Sequence, residues 1–131
     1  MGASIIPIET GSEILHVVGR PTRTGPTWVW AQQDLDLATV DAAGAELAAL
    51  LIDTALPRFV LLYLGAERFV DVRGLRLIVR TARRARSLGG DLAVVAPPPS
   101  LRWMVDRFDL GGELHLARDA RQAARWARAG R

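Results

Sequence analysis

The chain has 131 residues and a mass of 14.3 kDa, the size of one domain with no room for a second hydrophobic core. Half of the residues are apolar and 24% are charged, a globular balance that excludes disorder over the whole length. All 17 basic residues are arginine, so the pI is about 10.8 although the net charge is only +3, and this small excess excludes the bulk charge of a nucleic-acid coat protein.

The first part of the chain predicts a leader followed by a hairpin. Residues 1–12 show no hydrophobic period, which predicts an irregular leader, and the domain is expected over 13–131. Two short runs rich in β-branched and aromatic residues, 14–18 and 28–31, are separated by glycines and prolines. They predict two strands of a hairpin with a long connecting loop.

A helix and a buried strand are expected next. Apolar residues at helical spacing predict a helix from Ala42 to Leu56. Thr39 or Asp41 is expected to cap its first turn. Pro57 is expected to end it, because the residue before a proline is forced out of the helical region. The run 59–64 shows no polar alternation, which predicts a strand covered on both faces.

The second half of the chain predicts a crossover unit and three short elements. Apolar residues recur every three or four positions from Gly74 to Leu88, and Gly89-Gly90 supplies a stop. A strand at 91–96 follows, so the two flanking strands are expected to be parallel. The last elements are a helix over 101–108 capped by Ser100, an edge strand at 114–116, and a helix from Asp119 to about Ala129.

These elements give an α/β fold class. We predict a single domain with a small mixed β-sheet, made of the N-terminal hairpin plus parallel strands and covered by about four helices. The longest strongly apolar stretch is too short to span a membrane, and the start of the chain lacks the basic region of a signal peptide. A cytoplasmic protein is therefore expected.

The residues that would carry catalysis form no recognisable constellation. Cysteine and lysine are absent, which excludes thiol chemistry, thiolate metal sites and Schiff bases, and the common nucleotide and hydrolase motifs are missing. His16 and His115 fall in predicted strands, where packing is the expected role. Asp34 and Asp36 have no catalytic group at a readable spacing. We predict no enzyme activity, no metal and no cofactor.

Five stretches of the chain, taken together, resemble one known family. They are the buried strand at 59–64, Phe-Val-Asp-Val-Arg-Gly-Leu at 69–75, Asp-Leu-Asp-Leu-Ala-Thr at 34–39, the arginine-rich helix end with its Gly-Gly turn at 82–92, and the helix at 100–110. Their order and spacing resemble the STAS domain of bacterial anti-sigma-factor antagonists, over about residues 13 to 128. One departure is Asp109, where the family has a glycine; aspartate tolerates left-handed backbone better than most residues.

The resemblance implies a partner and a switch. Domains of this family bind an anti-sigma factor, an ATPase-like serine kinase, and so free a sigma factor for transcription. The family motif carries two serines before its glycine, and phosphorylation of the second abolishes binding by adding close to two negative charges. Here Val72 and Arg73 stand in their place. The resemblance therefore implies docking to such a partner, or to another regulatory protein, with no phosphorylation site at this position.

The predicted partner-binding residues lie before the first helix, in the loop at 67–74 and on the helix after it. They are Asp36, Asp71, Val72, Arg73, Gly74, Arg76 and Arg80. An arginine stripe on that helix indicates either a solvated face or a docking surface for an acidic partner; its members are Arg73, Arg76, Arg80 and Arg83. A second stripe is interpreted as a solvated face of the last helix; its members are Arg118, Arg121, Arg125 and Arg128.

Two further hypotheses stay open. A divergent sensor or scaffold subunit would bind a small anion or nucleotide at the helix N-terminus near Gly74, where free amides and the helix dipole favour negative charge. A degenerate domain would instead self-associate, for example as a homodimer. Neither direct DNA binding nor a membrane partner is expected.

Overall fold

A computed structural model of the protein describes residues 14–18, 25–53 and 58–129. The elements in chain order are β1 Leu15–Val18, β2 Thr27–Ala31, α1 Val40–Ile52, β3 Phe59–Tyr63, α2 Val72–Ser87, β4 Asp91–Val95, α3 Pro99–Arg107, β5 His115–Ala117 and α4 Ala120–Ala129. This confirms the predicted α/β class, with one mixed sheet and four helices. The predicted leader at 1–12 lies outside the described residues. No helix in the described ranges is long and apolar enough to cross a membrane.

The sheet follows the order of the sequence. Its strand order is β1-β2-β3-β4-β5, so each strand pairs with the next one along the chain. β1 is antiparallel to β2, as the predicted hairpin requires, and the other three pairs are parallel. The crossover unit predicted around α2 is therefore confirmed.

Helices cover the two faces of the sheet unequally. Right-handed crossovers that all move in one direction place their helices on the same face, and α1, α2 and α3 share the larger core cluster. Fully buried members of that cluster include Leu47 of α1, Ile78 of α2 and Leu101 of α3. The opposite face has a smaller cluster, in which Ala123 of α4 packs with residues of β3, β4 and β5.

The first helix ends earlier than predicted. α1 stops at Ile52 instead of Leu56, because Asp53 has an extended backbone with φ −77° and ψ 104°. Pro57, the predicted stop, lies outside the described residues. The helical period therefore places the body of α1 correctly and its end wrongly, since apolar spacing does not show where a backbone turns outward.

The second helix begins earlier than predicted and ends as predicted. α2 starts at Val72, two residues before Gly74, because Asp71 supplies its N-cap. At its end, Gly89 has φ 91°, a left-handed conformation that glycine adopts without steric cost. The amide of Gly90 then donates to the carbonyl oxygen of Ala85 at 2.8 Å, which satisfies one of the free carbonyls of the last turn.

The third helix corrects one predicted cap. Ser100 is not the N-cap of α3; Pro98 holds that position and Pro99 is the first helical residue, where a proline loses no helical hydrogen bond. The buried hydroxyl of Ser100 has no hydrogen-bond partner among the residues that the structure describes. After the helix, Asp109 has φ 56°, so this aspartate takes the left-handed position that the family fills with glycine.

His115 is a packed strand residue, as predicted. Its ring stacks on Trp126 of α4, with 4.7 Å between the ring centroids. Its buried Nε2 has no hydrogen-bond partner in the described part of the chain. Burial lowers the pKa of His115 below its ordinary value of 6.5, and the nearby Asp91 opposes this only in part. The unfolded chain therefore binds this proton more readily than the folded protein does.

A pH dependence of stability follows from His115. The free energy of unfolding should fall as the pH drops through 6.5, because His115 becomes protonated in the unfolded chain before it does in the folded protein. Replacing it with phenylalanine keeps an aromatic ring against Trp126 and removes the titrating group. Urea unfolding between pH 7.5 and 5 should show a smaller loss of stability for His115→Phe than for the wild type. Identical pH profiles would show that His115 does not contribute.

Candidate functional site

Two segments that are distant in sequence meet at one junction. Leu35 and Val70 form a parallel β-bridge, in which the amide of Leu35 donates to the carbonyl oxygen of Phe69 at 3.0 Å and the amide of Asp71 donates to that of Leu35 at 3.1 Å. Leu35 and Val70 are fully buried. The bridge therefore holds the approach to α1 against the approach to α2, and we call residues 34–39 and 69–74 the junction.

The carboxylate of Asp71 joins both halves of the junction. Its Oδ1 accepts hydrogen bonds from the amides of Arg73 at 2.8 Å and Gly74 at 2.9 Å, and its Oδ2 accepts one from the amide of Leu37 at 3.2 Å. A carboxylate at this position satisfies free amides of the first helical turn and favours the positive end of the helix dipole. Asp71 therefore already occupies the amides that an external anion would need.

The other two acids of the junction also accept backbone hydrogen bonds. Asp34 Oδ1 accepts from the amide of Phe69 at 2.9 Å, and Asp36 Oδ1 accepts from that of Ala38 at 2.9 Å. Thr39 holds the N-cap position of α1 but does not cap it. Its hydroxyl donates to the carbonyl oxygen of Asp34 at 2.6 Å. The predicted position of Thr39 at the start of α1 is therefore confirmed, but its hydroxyl closes the preceding turn instead of capping the helix, and the alternative, Asp41, lies within the first turn.

Gly74, which is predicted as a partner contact, has a packing role in the structure. It is buried in the first turn of α2, and a Cβ there would collide with the carbonyl oxygen of Leu35 and approach its Cβ to 2.9 Å. Only glycine lets α2 come this close to the bridge. Gly74 therefore shapes the junction from beneath and presents no side chain to a partner.

Apolar side chains at the junction face solvent. Leu37 is 64% exposed, Phe69 51% and Val72 41%. Large apolar side chains grouped at one surface position typically mark an interaction site. Of these three, the sequence predicts only Val72 as a site residue. It does not predict Leu37 and Phe69, because apolar character alone predicts burial. The signal that could indicate the exposure of Phe69 is its position directly after the charged residues 67 and 68.

Arginines of α2 extend this surface. Arg73, Arg76 and Arg80 are exposed, and none of their guanidinium groups has an ion pair within the described part of the chain. Arg83 differs, because it binds Glu113 at 2.6 Å. We call Leu37, Phe69, Val72, Arg73 and Arg76 the junction patch; it combines an apolar centre with free positive charge.

The second arginine stripe is exposed as predicted. Arg121, Arg125 and Arg128 lie on exposed positions of α4, whereas Arg118 precedes the helix and lies 3.9 Å from the carboxylate of Asp119. A hydrogen bond from the amide of Gln122 lowers the pKa of Asp119, and the neighbouring arginines add to this effect. Asp119 therefore opens α4 as predicted.

Comparison with known proteins agrees with this architecture. The STAS domain family matches residues 20–123. An anti-sigma factor antagonist of Mycobacterium paratuberculosis has a TM-score of 0.71 and 20% identity, covering 87% of this chain and 94% of its own. SpoIIAA of Bacillus is an anti-sigma factor antagonist whose structure is known in unphosphorylated and phosphorylated forms. The unphosphorylated form has a TM-score of 0.64 and 18% identity, covering 88% of this chain and 96% of its own.

The same fold also occurs in an unrelated setting. The murine anion transporter Slc26a9 gives a TM-score of 0.63 and 16% identity over 81% of this chain but only 18% of its own length. No curated protein matches this chain. At these identities the structural neighbours establish the fold alone. Since the family match spans most of the described residues and the fold agrees, the chain belongs to the STAS domain family and has the fold of anti-sigma factor antagonists.

Proposed function

We propose that the protein is a non-catalytic interaction domain that binds an anti-sigma factor of the serine-kinase type, or a related regulator, through the junction patch. The domain would span 13–131 and act in the bacterial cytoplasm. The observation that carries this proposal is the exposure of Leu37, Phe69 and Val72 beside the guanidinium groups of Arg73 and Arg76, which form no ion pair with the part of the chain that the structure describes. An apolar centre with a charged rim is the common composition of protein interfaces.

The absence of catalysis is proposed from how the acids are used. The three acids of the junction, Asp34, Asp36 and Asp71, each accept a hydrogen bond from a backbone amide. A general base must instead reach a proton of a substrate. These carboxylates hold the shape of the junction.

We further propose that the domain stays permanently competent to bind. Arg73 lies at the position of the phosphorylated serine of the family, and the segment 69–76 contains no hydroxyl group. The hydroxyl of Thr81 is buried and donates to the carbonyl oxygen of Leu77 at 2.8 Å, whereas Ser87 is exposed. Incubation with the partner kinase and ATP should leave the protein unmodified; phosphate on Ser87 or Thr81 would contradict the proposal.

A small-anion or nucleotide site at the start of α2 is not proposed. That hypothesis needed free amides in the first turn, and Asp71 accepts from those of Arg73 and Gly74. Its carboxylate would also repel an anion placed there.

Reversing the charge of Arg73 tests the proposed surface. Arg73→Glu should weaken binding to the proposed kinase-type partner at least tenfold, because an acidic partner surface would then face a like charge. Isothermal titration calorimetry with the purified pair measures this. Arg125→Glu makes the same change in net charge on α4 and should leave the affinity within about twofold. Equal affinities of Arg73→Glu and the wild type would remove Arg73 from the interface.

A further inference from the structure

The outer face of α1 is unusual for a surface helix. Between residues 42 and 52 the only charged side chain is Glu46. Its carboxylate accepts hydrogen bonds from the amides of Ile14 at 3.2 Å and Leu15 at 2.8 Å. Ala45, Ala48 and other alanines are exposed, and Ile52 is 68% exposed. A helix that faces water normally carries charged residues on its outer side. This face therefore has the character of a surface that another element covers.

A groove runs beside this face, between α1 and α2. Its volume is about 380 Å³, and the residues that shape it are Gly44, Ala48, Leu51, Leu77, Arg80 and Arg84. Leu51 and Leu77 are each 3% exposed and form an apolar floor. Small residues at 44 and 48 leave room above that floor. The groove is thus apolar at its base and positively charged along the α2 side.

The charged side chains along the groove determine which kind of partner can bind in it. Arg80 and Arg84 are one helical turn apart, and neither guanidinium forms an ion pair or hydrogen bond within the described residues. Among the described residues, Asp41 is the one acid of the lining. A second copy of the chain placed symmetrically over the groove would bring four of these guanidinium groups together, and like charges in close contact are unfavourable. An acidic occupant is complementary.

We propose that the α1–α2 groove binds an acidic amphipathic α-helix of a partner protein. The lining from Val40 to Leu51 spans about 16 Å along α1, which is about three helical turns. Apolar residues of the partner helix would contact Leu51 and Leu77, and acidic residues one turn apart would pair with Arg80 and Arg84. This inference rests on the proposed function, because it describes a second contact for a partner that also docks at the junction patch.

A designed peptide tests the groove without knowledge of the partner. The probe is a fluorescein-labelled 18-residue amphipathic helix with leucine on one face and glutamate beside it, and the matched peptide has lysine for glutamate. Ala48→Arg fills the groove, whereas Ala49→Arg places the same side chain on an exposed position outside the lining. Both variants add one positive charge, so general attraction of an acidic peptide would strengthen binding to both.

Fluorescence anisotropy should show binding of the glutamate peptide and not of the lysine peptide. Ala48→Arg should lower the affinity for the glutamate peptide at least tenfold, and Ala49→Arg should change it less than twofold. The double variant Arg80→Glu, Arg84→Glu should reverse the preference between the two peptides. Similar affinity for both peptides, equal effects of the two alanine variants, or a wild-type dimer that Ala48→Arg dissociates in sedimentation would overturn the inference. If the groove fails while Arg73→Glu still weakens the partner complex, only the groove is refuted.

Discussion

Replacing Gly74 with alanine should destabilise the protein by about 3 kcal/mol, although alanine is the better helix former. The added Cβ would collide with the carbonyl oxygen of Leu35, a backbone atom, and that backbone is fixed by the bridge to Val70. A flexible side chain could move aside at little cost, but here α2 or the bridge must shift. Urea unfolding measures the difference in the free energy of unfolding.

Gly111 offers a matched control for this substitution. Apart from its two chain neighbours, no heavy atom of the described residues lies within 4 Å of a Cβ placed there, and its φ is not in the left-handed region. Gly111→Ala should therefore be neutral or stabilising by about 0.5 kcal/mol, through the lower entropy of the unfolded chain. If Gly74→Ala were as stable as Gly111→Ala, the close packing of α2 on Leu35 would be wrong.

Asp71 is expected to have the second large effect, on stability and binding together. Asp71→Ala removes the acceptor of three amides and should cost about 2 kcal/mol. Asp71→Asn keeps the oxygen that accepts from Arg73 and Gly74 but places an amide group against the amide of Leu37. Asparagine caps helices as well as aspartate, so this variant should retain the cap and lose the contact between the two halves of the junction.

Comparing these two variants separates the cap from the docking geometry. Asp71→Asn should unfold at nearly the urea midpoint of the wild type, whereas its affinity for the partner should fall about tenfold by calorimetry, since Leu37 loses its fixed place in the junction patch. Asp71→Ala should lose both. An Asp71→Asn variant with full affinity would mean that the position of Leu37 does not matter for docking.

The sequence predicts the elements of this fold better than it predicts the site. α2 could be foreseen because its apolar residues follow the helical period and Gly89-Gly90 ends it, and both signals are local. The exposure of Leu37 and Phe69 depends on the bridge between Leu35 and Val70, which joins segments that are far apart in the sequence. A local sequence pattern therefore cannot predict that contact.

The roles of individual residues are hard to predict for the same reason. Gly74 stands in a motif that suggests a binding loop, and the backbone of Leu35 leaves no room for a side chain at that position. Ser100 has the side chain of a cap, but the proline before it begins the helix first. In both cases a residue type has several common uses, and only the surrounding tertiary structure selects one.

The strand order has a consequence for how the chain folds. Since each strand pairs with the one that precedes it, a strand that has just been synthesised finds its neighbour already present. No strand within the described residues has to wait for a partner beyond its neighbour in chain order. Each closure therefore spans one crossover, such as the one between the paired residues Thr27 and Val60, and the entropic cost of closing a loop rises only slowly with its length. The sheet can therefore grow from the N-terminal hairpin by adding one crossover at a time.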